Sequence, residues 1–357
     1  IWTNSMSRTY STQELQSCVD RLPRFPLAHL PTPLEHLKRF SQTLDGPRIW
    51  IKRDDCTGLA FGGNKTRHGE FLIADALDSG CDTIVWGAGI QSNNCRQTAA
   101  GCAKAGLDCH LVLGRGKPAD GPDVVQGNLL LDQLVGASIE IVDDQVGPGV
   151  DAKIAQAADR FRAQGREVYE WNRGRVKPLA AISYVICLLE ILEQSQTNGF
   201  TPDAIYICSA GSTGAGLSLA AAALGLTFPI RHITPIVWPW NTQADMTNIA
   251  NGAAELLEIS TRLAAEHIDV TEEYVGEAYG VPTAGCLEAI RLLARNEGIL
   301  VDGSYSGKSL SGLIDHVRQG RFSEQQNVVF VHTGGTPALF ANNEQLAGDI
   351  PARSLAE

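Results

Sequence analysis

The chain has no apolar run that approaches the roughly 20 residues a membrane-spanning helix needs. It has no run of lysines and arginines either: 29 basic side chains face 40 acidic ones across 357 residues, a net charge of −11. That balance argues against nucleic acid and against an anionic membrane surface as partners. A small anionic substrate stays open, because a local pocket can be positive within an acidic protein. The nine cysteines are odd in number and scattered, and no CxxC pair occurs. They read as free thiols in a reducing, cytoplasmic setting. The eight histidines form no HxH or HxxxH cluster, so no zinc site is expected. Residues Ile1–Tyr10 lack a signal-peptide core, and Met6 is a candidate natural start that would leave Ile1–Ser5 extraneous.

What is present is ample apolar material, 44% of residues, enough for two lobes. Short β-like runs alternate with longer helical patterns, the α/β signature. Strands are expected at Arg48–Lys52, Thr83–Gly87, Cys109–Leu113, Ser138–Val142, Ala204–Cys208, His232–Trp238 and Asn327–His332. Helices are expected at Asn64–Ser79, Asn93–Ala105, Pro122–Val135, Val150–Gln164, Leu179–Gln194, Gly214–Leu224, Asp245–His267, Thr283–Glu297 and Lys308–Gln319. The strand–turn–helix units in Thr83–Leu113 and Ala204–Trp238 point to a mainly parallel sheet in each lobe. Ligands of such sheets sit at the carboxyl ends of the strands.

Four segments carry chemistry. In Phe61–Arg67, FGGNKTR, two glycines allow a tight turn, the asparagine is a good helix cap and Lys65 follows in the first turn. A lysine at the positive end of a helix dipole is electrostatically misplaced, which suggests an amine used in its neutral form; the plain alternative is a surface lysine beside a cap. In Trp86–Arg96, WGAGIQSNNCR, a strand runs into a glycine-rich turn, and Ser92, Asn93 and Asn94 open a helix whose free N–H groups suit a carboxylate or phosphate. Simple capping would need only one of the three. Cys208–Gly216, CSAGSTGAG, joins a strand to a helix and can curl into a nest of N–H donors. It lacks a P-loop lysine and the GxGxxG pattern, so a monophosphate-bearing cofactor fits better than a nucleotide, with a tight packing turn as the alternative. YSGK at Tyr305–Lys308 and HTGG at His332–Gly335 stand near the ends of strand-like runs.

Taken in order, LPTPLE…WIKRDDCTGLAFGGNKTR, GIQSNNCRQTAA, GSTGAG, YGVPTAGCLEAIRLLARNEGILVD, YSGKSLSGLID and VHTGGTPALF resemble the D-cysteine desulfhydrase and 1-aminocyclopropane-1-carboxylate (ACC) deaminase family. The resemblance spans about Leu22 to Asn342. These are pyridoxal 5′-phosphate (PLP) enzymes of fold type II, the tryptophan synthase β-like group. It implies a large PLP-binding domain from residues 1–65 and 179–357, a small α/β domain from 66–178, and an active site between them in a homodimeric enzyme. It further implies that Lys65 is the Schiff-base lysine and that Asn93 bonds the cofactor's phenolic oxygen. Gly211, Ser212, Thr213 and Gly214 would cradle the phosphate, Ser92, Asn93 and Asn94 would hold the substrate carboxylate, and Tyr279 and Tyr305 would face the substrate.

ACC deaminases typically carry glutamate after the YSGK-type tyrosine and leucine before the paired glycines. Here Ser306 and Thr333 stand there, as in the desulfhydrase branch. Hydroxyls beside the pyridine nitrogen favour a neutral ring, which suffices to expel thiolate but not to open a cyclopropane. The expected function is therefore β-elimination from a small amino acid, D-cysteine first, giving pyruvate, ammonia and sulfide. L-cysteate sulfo-lyase, ACC deaminase and a non-catalytic PLP-binding protein are the alternatives. The chain departs from the family at three places: His68-Gly69 follows NKTR where Lys-Leu is usual, Asn94-Cys95 follows QSN where many members have His, and YEWNRGRV at Tyr169–Val176 replaces a turn of small residues close to the substrate side. Trp171, Arg173 and Arg175 are accordingly expected in the substrate pocket, since arginine grips carboxylate or sulfonate well.

Overall fold

The computed structural model describes residues 8–116, 124–341 and 346. Met6, the first residues of the expected helix Pro122–Val135, and Asn342 lie outside the described residues. Among the described residues ten strands form: β1 (Leu34–His36), β2 (Arg48–Lys52), β3 (Thr83–Gly89), β4 (Asp108–Gly114), β5 (Ser138–Val142), β6 (Val168–Glu170), β7 (Ala204–Cys208), β8 (Ile230–Ile233), β9 (Asp269–Thr271) and β10 (Asn327–Val331). They make a six-stranded sheet, β1-β2-β10-β7-β8-β9, and a four-stranded sheet, β5-β4-β3-β6. Every pairing is parallel except β1 with β2. The fold is thus α/β with two sheets flanked by helices.

The central strands are buried along their whole length, AIYIC in β7 and NVVFV in β10. Such continuous apolar runs belong to parallel sheets covered on both faces. Alternate residues feed different cores. Ile205, Ile207, Val329 and Val331 pack with the helix Arg173–Thr197, whereas Tyr206, Val328 and Phe330 pack with Leu293, Leu310 and Leu313. In the smaller sheet Ile84, Trp86 and Leu111 face one core, and Val85 and Val112 the other. Among the described residues no helix is long and apolar enough to cross a membrane.

Three expected elements move. The strand expected over His232–Trp238 ends at Ile233, because Pro235 and Pro239 cannot join a sheet ladder. The helix expected from Leu179 starts at Arg173, with Asn172 as its cap and Pro178 inside it. The helix expected to reach His267 stops at Leu256, and Glu258 then takes a left-handed φ of 56°. The helices Thr12–Val19 and Lys38–Leu44 and the short strands β1, β6 and β9 were not expected.

Candidate active site

The carboxyl ends of β3, β7 and β10 and the starts of the helices Asn64–Asp78, Asn93–Ala105, Arg173–Thr197 and Ser212–Ala223 converge on one cavity of about 220 Å³. Its lining includes Lys65, Ser92, Asn93, Asn94, Trp171, Arg173, Gly211, Ser212, Thr213, Tyr279, Tyr305 and Thr333. A larger cavity of about 620 Å³ adjoins it and shares Val146, Ile236, Trp238 and Tyr279.

Lys65 is set by a knot of glycines. Gly63 has φ 125°, and a Cβ there would lie 2.5 Å from Gln97 Nε2. Gly334, with φ 94°, packs so closely that its Cβ would lie 2.7 Å from the Gly63 Cα. Side chains are excluded at both positions, by contact as much as by conformation. The Gly63 N–H donates to Thr57 Oγ1 at 2.7 Å and the Asn64 N–H to the Thr333 carbonyl at 3.0 Å. Gly63, not Asn64, is the cap residue of this helix. Asn64 instead donates through Nδ2 to Thr213 Oγ1 at 2.9 Å, tying the lysine turn to the glycine-rich loop after β7. Burial pushes the Lys65 amine down to about 8, and no carboxylate opposes the shift. A large neutral fraction near physiological pH suits an amine that must act as nucleophile and base.

Ser92 caps its helix, its Oγ accepting from the Cys95 N–H at 3.2 Å, so its own proton remains to donate into the cavity. The next side chain, Asn93, receives Arg96 Nη1 and Asn128 Nδ2 at Oδ1, each at 3.1 Å. The Nδ2 end is left for a ligand acceptor. Arg96 is itself buried and anchored to the Gly62 carbonyl at 2.8 Å, so the two glycine-bearing loops and Asn93 are one unit. Tyr279 and Tyr305 touch through their hydroxyls. Burial pushes the Tyr279 hydroxyl up to about 12 and that of Tyr305 higher still, so both stay protonated at neutral pH and one proton of the pair is free to donate into the cavity.

At the far wall Arg173 donates from Nε to Asp151 Oδ2 at 2.6 Å. Its guanidinium carbon lies 4.9, 5.5 and 5.8 Å from the ring centroids of Trp240, Trp238 and Trp171. Trp238 and Trp240 stack at 4.7 Å.

Three expected site residues stand elsewhere. Arg175 turns outward to Asp75 at 2.9 Å, over the ring of Tyr169, because it falls on the outer face of the helix that begins at Arg173. Gly214 lies behind the cavity. Its N–H is taken by Ser209 Oγ at 2.8 Å, and a Cβ would meet His232 at 2.5 Å. Ser306 is fully buried, its Oγ bonded to Asp302 Oδ1 at 2.5 Å and the Gly334 carbonyl at 3.1 Å, so only Thr333 of that pair lines the cavity. Sequence reasoning missed Asp151, Lys177, Trp238 and the lining role of His68. Pro235 and Pro239 were the signal for Trp238, since they mark the loop that carries it.

The donor set fits PLP. The cavity holds an amine with no acid partner, an amide donor beside it, and the N-terminus of the helix Ser212–Ala223 with Ser212 and Thr213 for a phosphate. Comparison with known proteins agrees. The family model described as pyridoxal-phosphate dependent enzyme matches residues 26–334. The chain is 41% identical over 332 residues to a 1-aminocyclopropane-1-carboxylate deaminase of Burkholderia ambifaria, covering 91% of this chain and 98% of the relative. A solved structure described as an ACC deaminase homologue superposes with TM-score 0.85 at 30% identity, covering 94% of this chain and 98% of that one. A fungal L-serine ammonia-lyase from Rhizomucor miehei, at 17% identity and TM-score 0.60 over 90% of this chain and 99% of that one, shares the fold. The donor set around Lys65 and the match along nearly the whole chain lead to one conclusion: the chain belongs to the pyridoxal-phosphate-dependent enzyme family that includes the ACC deaminases.

Proposed function

We propose that this PLP-dependent lyase removes a β-leaving group and ammonia from a small amino acid, D-cysteine first, with water consumed and pyruvate and sulfide released. One observation carries the reading: among the described lining residues the only carboxylate is Asp151, and it is tied to Arg173. The cavity thus offers a ring nitrogen the hydroxyl of Thr333 and no free acid. When bound, PLP supplies an electron sink for negative charge at the substrate α-carbon. A lining without a free acid would suit departure of a stable anion better than opening of a cyclopropane.

The chain's own residues have matching roles in this reading. Lys65, its amine depressed to about 8, takes the proton from Cα. The Ser92 hydroxyl and the N–H groups that open the helix Asn93–Ala105 hold the substrate carboxylate. Asn93 Nδ2 would hold the cofactor's phenolic oxygen. Of the Tyr279–Tyr305 pair, one hydroxyl donates to the other, and the second proton is left to donate to the departing sulfur. The lobes divide at residues 65/66 and 178/179, a division supported by the confinement of β3–β6 to the second segment. The nine free thiols support a reducing, cytoplasmic compartment. Exposed Phe61, Leu134 and Phe340 are the kind of apolar surface a second copy would cover in a homodimer.

Two observations favour second readings. The named relatives are ACC deaminases. Arg173 lines the cavity with only its Nε engaged, which would suit an acidic leaving group such as the sulfite of L-cysteate. A pyruvate, α-ketobutyrate and ammonia assay over D-cysteine, L-cysteate, β-chloro-D-alanine, D-serine and ACC separates them. D-cysteine should give the largest kcat/KM. α-Ketobutyrate from ACC as the main product would overturn the proposal, and no turnover of any of the five would favour a non-catalytic PLP-binding protein.

A further inference from the structure

The end of the cavity next to Thr213 is poor in unmatched positive charge. Of the lining cations, Arg173 is held by Asp151 and Lys177 by Asp245 at 2.7 Å, and Lys65 is reserved for the cofactor carbonyl. Arg67, behind the wall, is bonded to both Asp54 and Glu190. A phosphate dianion placed here would meet the N-terminus of the helix Ser212–Ala223 and little else of its own sign's opposite.

One lining side chain able to carry a proton has no acid beside it. His68 stands one turn beyond Lys65 and Asn64, on the same face of their helix. It is 5% exposed and lines the cavity. Its Nε2 lies 3.2 Å from Thr213 Oγ1. From behind, the edge of Tyr184 supports the ring, with centroids 5.8 Å apart, and Tyr184 is pinned by its hydroxyl donating to Asp54 Oδ2 at 2.6 Å. The imidazole is therefore fixed in place and directed at the threonine.

The protons on this group are countable. Thr213 Oγ1 accepts from Asn64 Nδ2 at 2.9 Å. Its single hydrogen is then free to go either to His68 Nε2 or to an anion in the cavity. With an anion present the hydroxyl turns to it, and Nε2 must present N–H rather than a lone pair. Burial and the charges of Lys65 and Arg67 hold the free imidazole neutral, its affinity for a proton well below the usual histidine range. An incoming dianion works in the opposite direction.

We propose that His68 is a positioning residue of the cofactor's phosphate cradle: its Nε2–H donates to Thr213 Oγ1 and turns that hydroxyl toward the phosphate at the start of the helix Ser212–Ala223. The inference rests on the cofactor and is independent of which amino acid is the substrate. Its test compares PLP with pyridoxal, which lacks the phosphate, on protein stripped of cofactor and reloaded. His68→Ala should weaken PLP by about ten- to a hundredfold, the range of the one Thr213–phosphate hydrogen bond that His68 orients, and change pyridoxal by less than about twofold. His68→Gln keeps a donor near the place of Nε2 and should recover PLP binding to within about fivefold of wild type. The 31P resonance of the loaded protein should shift in both variants, a signal that a role in packing alone would not move. Where His68→Ala fails to fold, the glutamine variant and its 31P spectrum carry the comparison. Equal losses for PLP and pyridoxal, an unchanged PLP affinity, or a glutamine variant as weak as the alanine one would each overturn the proposal.

Discussion

Arg67 and Lys65 lie two residues apart on one helix, in charged regions that are built in opposite ways. Beneath the cavity Lys52, Asp54, Arg67 and Glu190 form a buried quartet of two cations and two anions. Arg67 reaches Asp54 at 2.8 Å and Glu190 at 2.7 Å, and Lys52 reaches Glu190 at 2.7 Å and the Thr32 carbonyl at 2.6 Å. Two residues before Arg67, Lys65 projects into the cavity, and no hydrogen-bond acceptor for its amine is present among the described residues. Lys308, the other lysine close to the site in sequence motif, is matched as well, donating to the Val275 carbonyl at 2.6 Å. The difference shows how a reactive amine is made. Rigidity comes from a fully matched polar layer on one face of the helix, and reactivity from leaving one amine unmatched and desolvated on the other.

The comparison can be broken at its sharpest point first. Lys65→Ala should lose the cofactor absorbance band and covalent trapping by borohydride, and should cost roughly a thousandfold or more in turnover. Label appearing on Lys52 or Lys308 after reduction would reverse the assignment of the two regions. Next is the floor itself. Arg67→Ala leaves Asp54 and Glu190 buried without their main partner, and urea denaturation should show a loss of about 3–5 kcal/mol, because an uncompensated buried charge is costly. A loss under ~1 kcal/mol would mean that the layer is not the rigid element described.

The unmatched amine also sets a pH profile. Since the Lys65 amine is depressed to about 8, its neutral form grows about tenfold per pH unit below that value and saturates above it. The rate at which stripped protein captures PLP should therefore rise from pH 6 and level off near 8. A rate still climbing at pH 10 would mark an ordinary lysine. Smaller effects separate Arg173, in the aromatic wall, from Arg175, outside it. Arg173→Ala should lower kcat/KM for an acidic substrate by roughly 30-fold, about 2 kcal/mol, and spare a neutral one. Arg175→Ala, a surface pair with Asp75, should change kcat/KM by nothing measurable and stability by less than ~1 kcal/mol.

Much of the site was legible because its residues sit on local signals. Lys65, Ser92, Asn93 and Gly211–Thr213 follow strands and precede helices, and turn glycines and cap residues announce such junctions. Arg175 was misjudged because Gly174 and Pro178 disguise a helix as a turn; once Arg173 is helical, a residue two positions on faces away from it. Ser306 was misjudged for another reason. Its spacing from Tyr305 is right, but Asp302 draws both its N–H and its Oγ into a cap for the helix Ser306–Arg318. A substitution Ser306→Glu would set a second carboxylate against Asp302, so sequence position alone misstates what that residue can do.

The sequence by itself determined the alternation of strands and helices, the turn that presents Lys65, and the loops that open on helix N-termini. These are set by contacts a few residues apart: glycine's backbone freedom, capping hydroxyls and the apolar periodicity of buried strands. Only the tertiary structure decided that Lys65 is unmatched while Lys52 and Arg67 are not, that Asn64 and His68 meet Thr213, and that Arg173 lies among three indoles. Those outcomes depend on groups far apart in the chain, such as Asp54 and Glu190, or Trp171 and Trp240. Whether a charge is buried, paired or free follows from which of them packing brings within a few ångströms, and no local pattern encodes that distance.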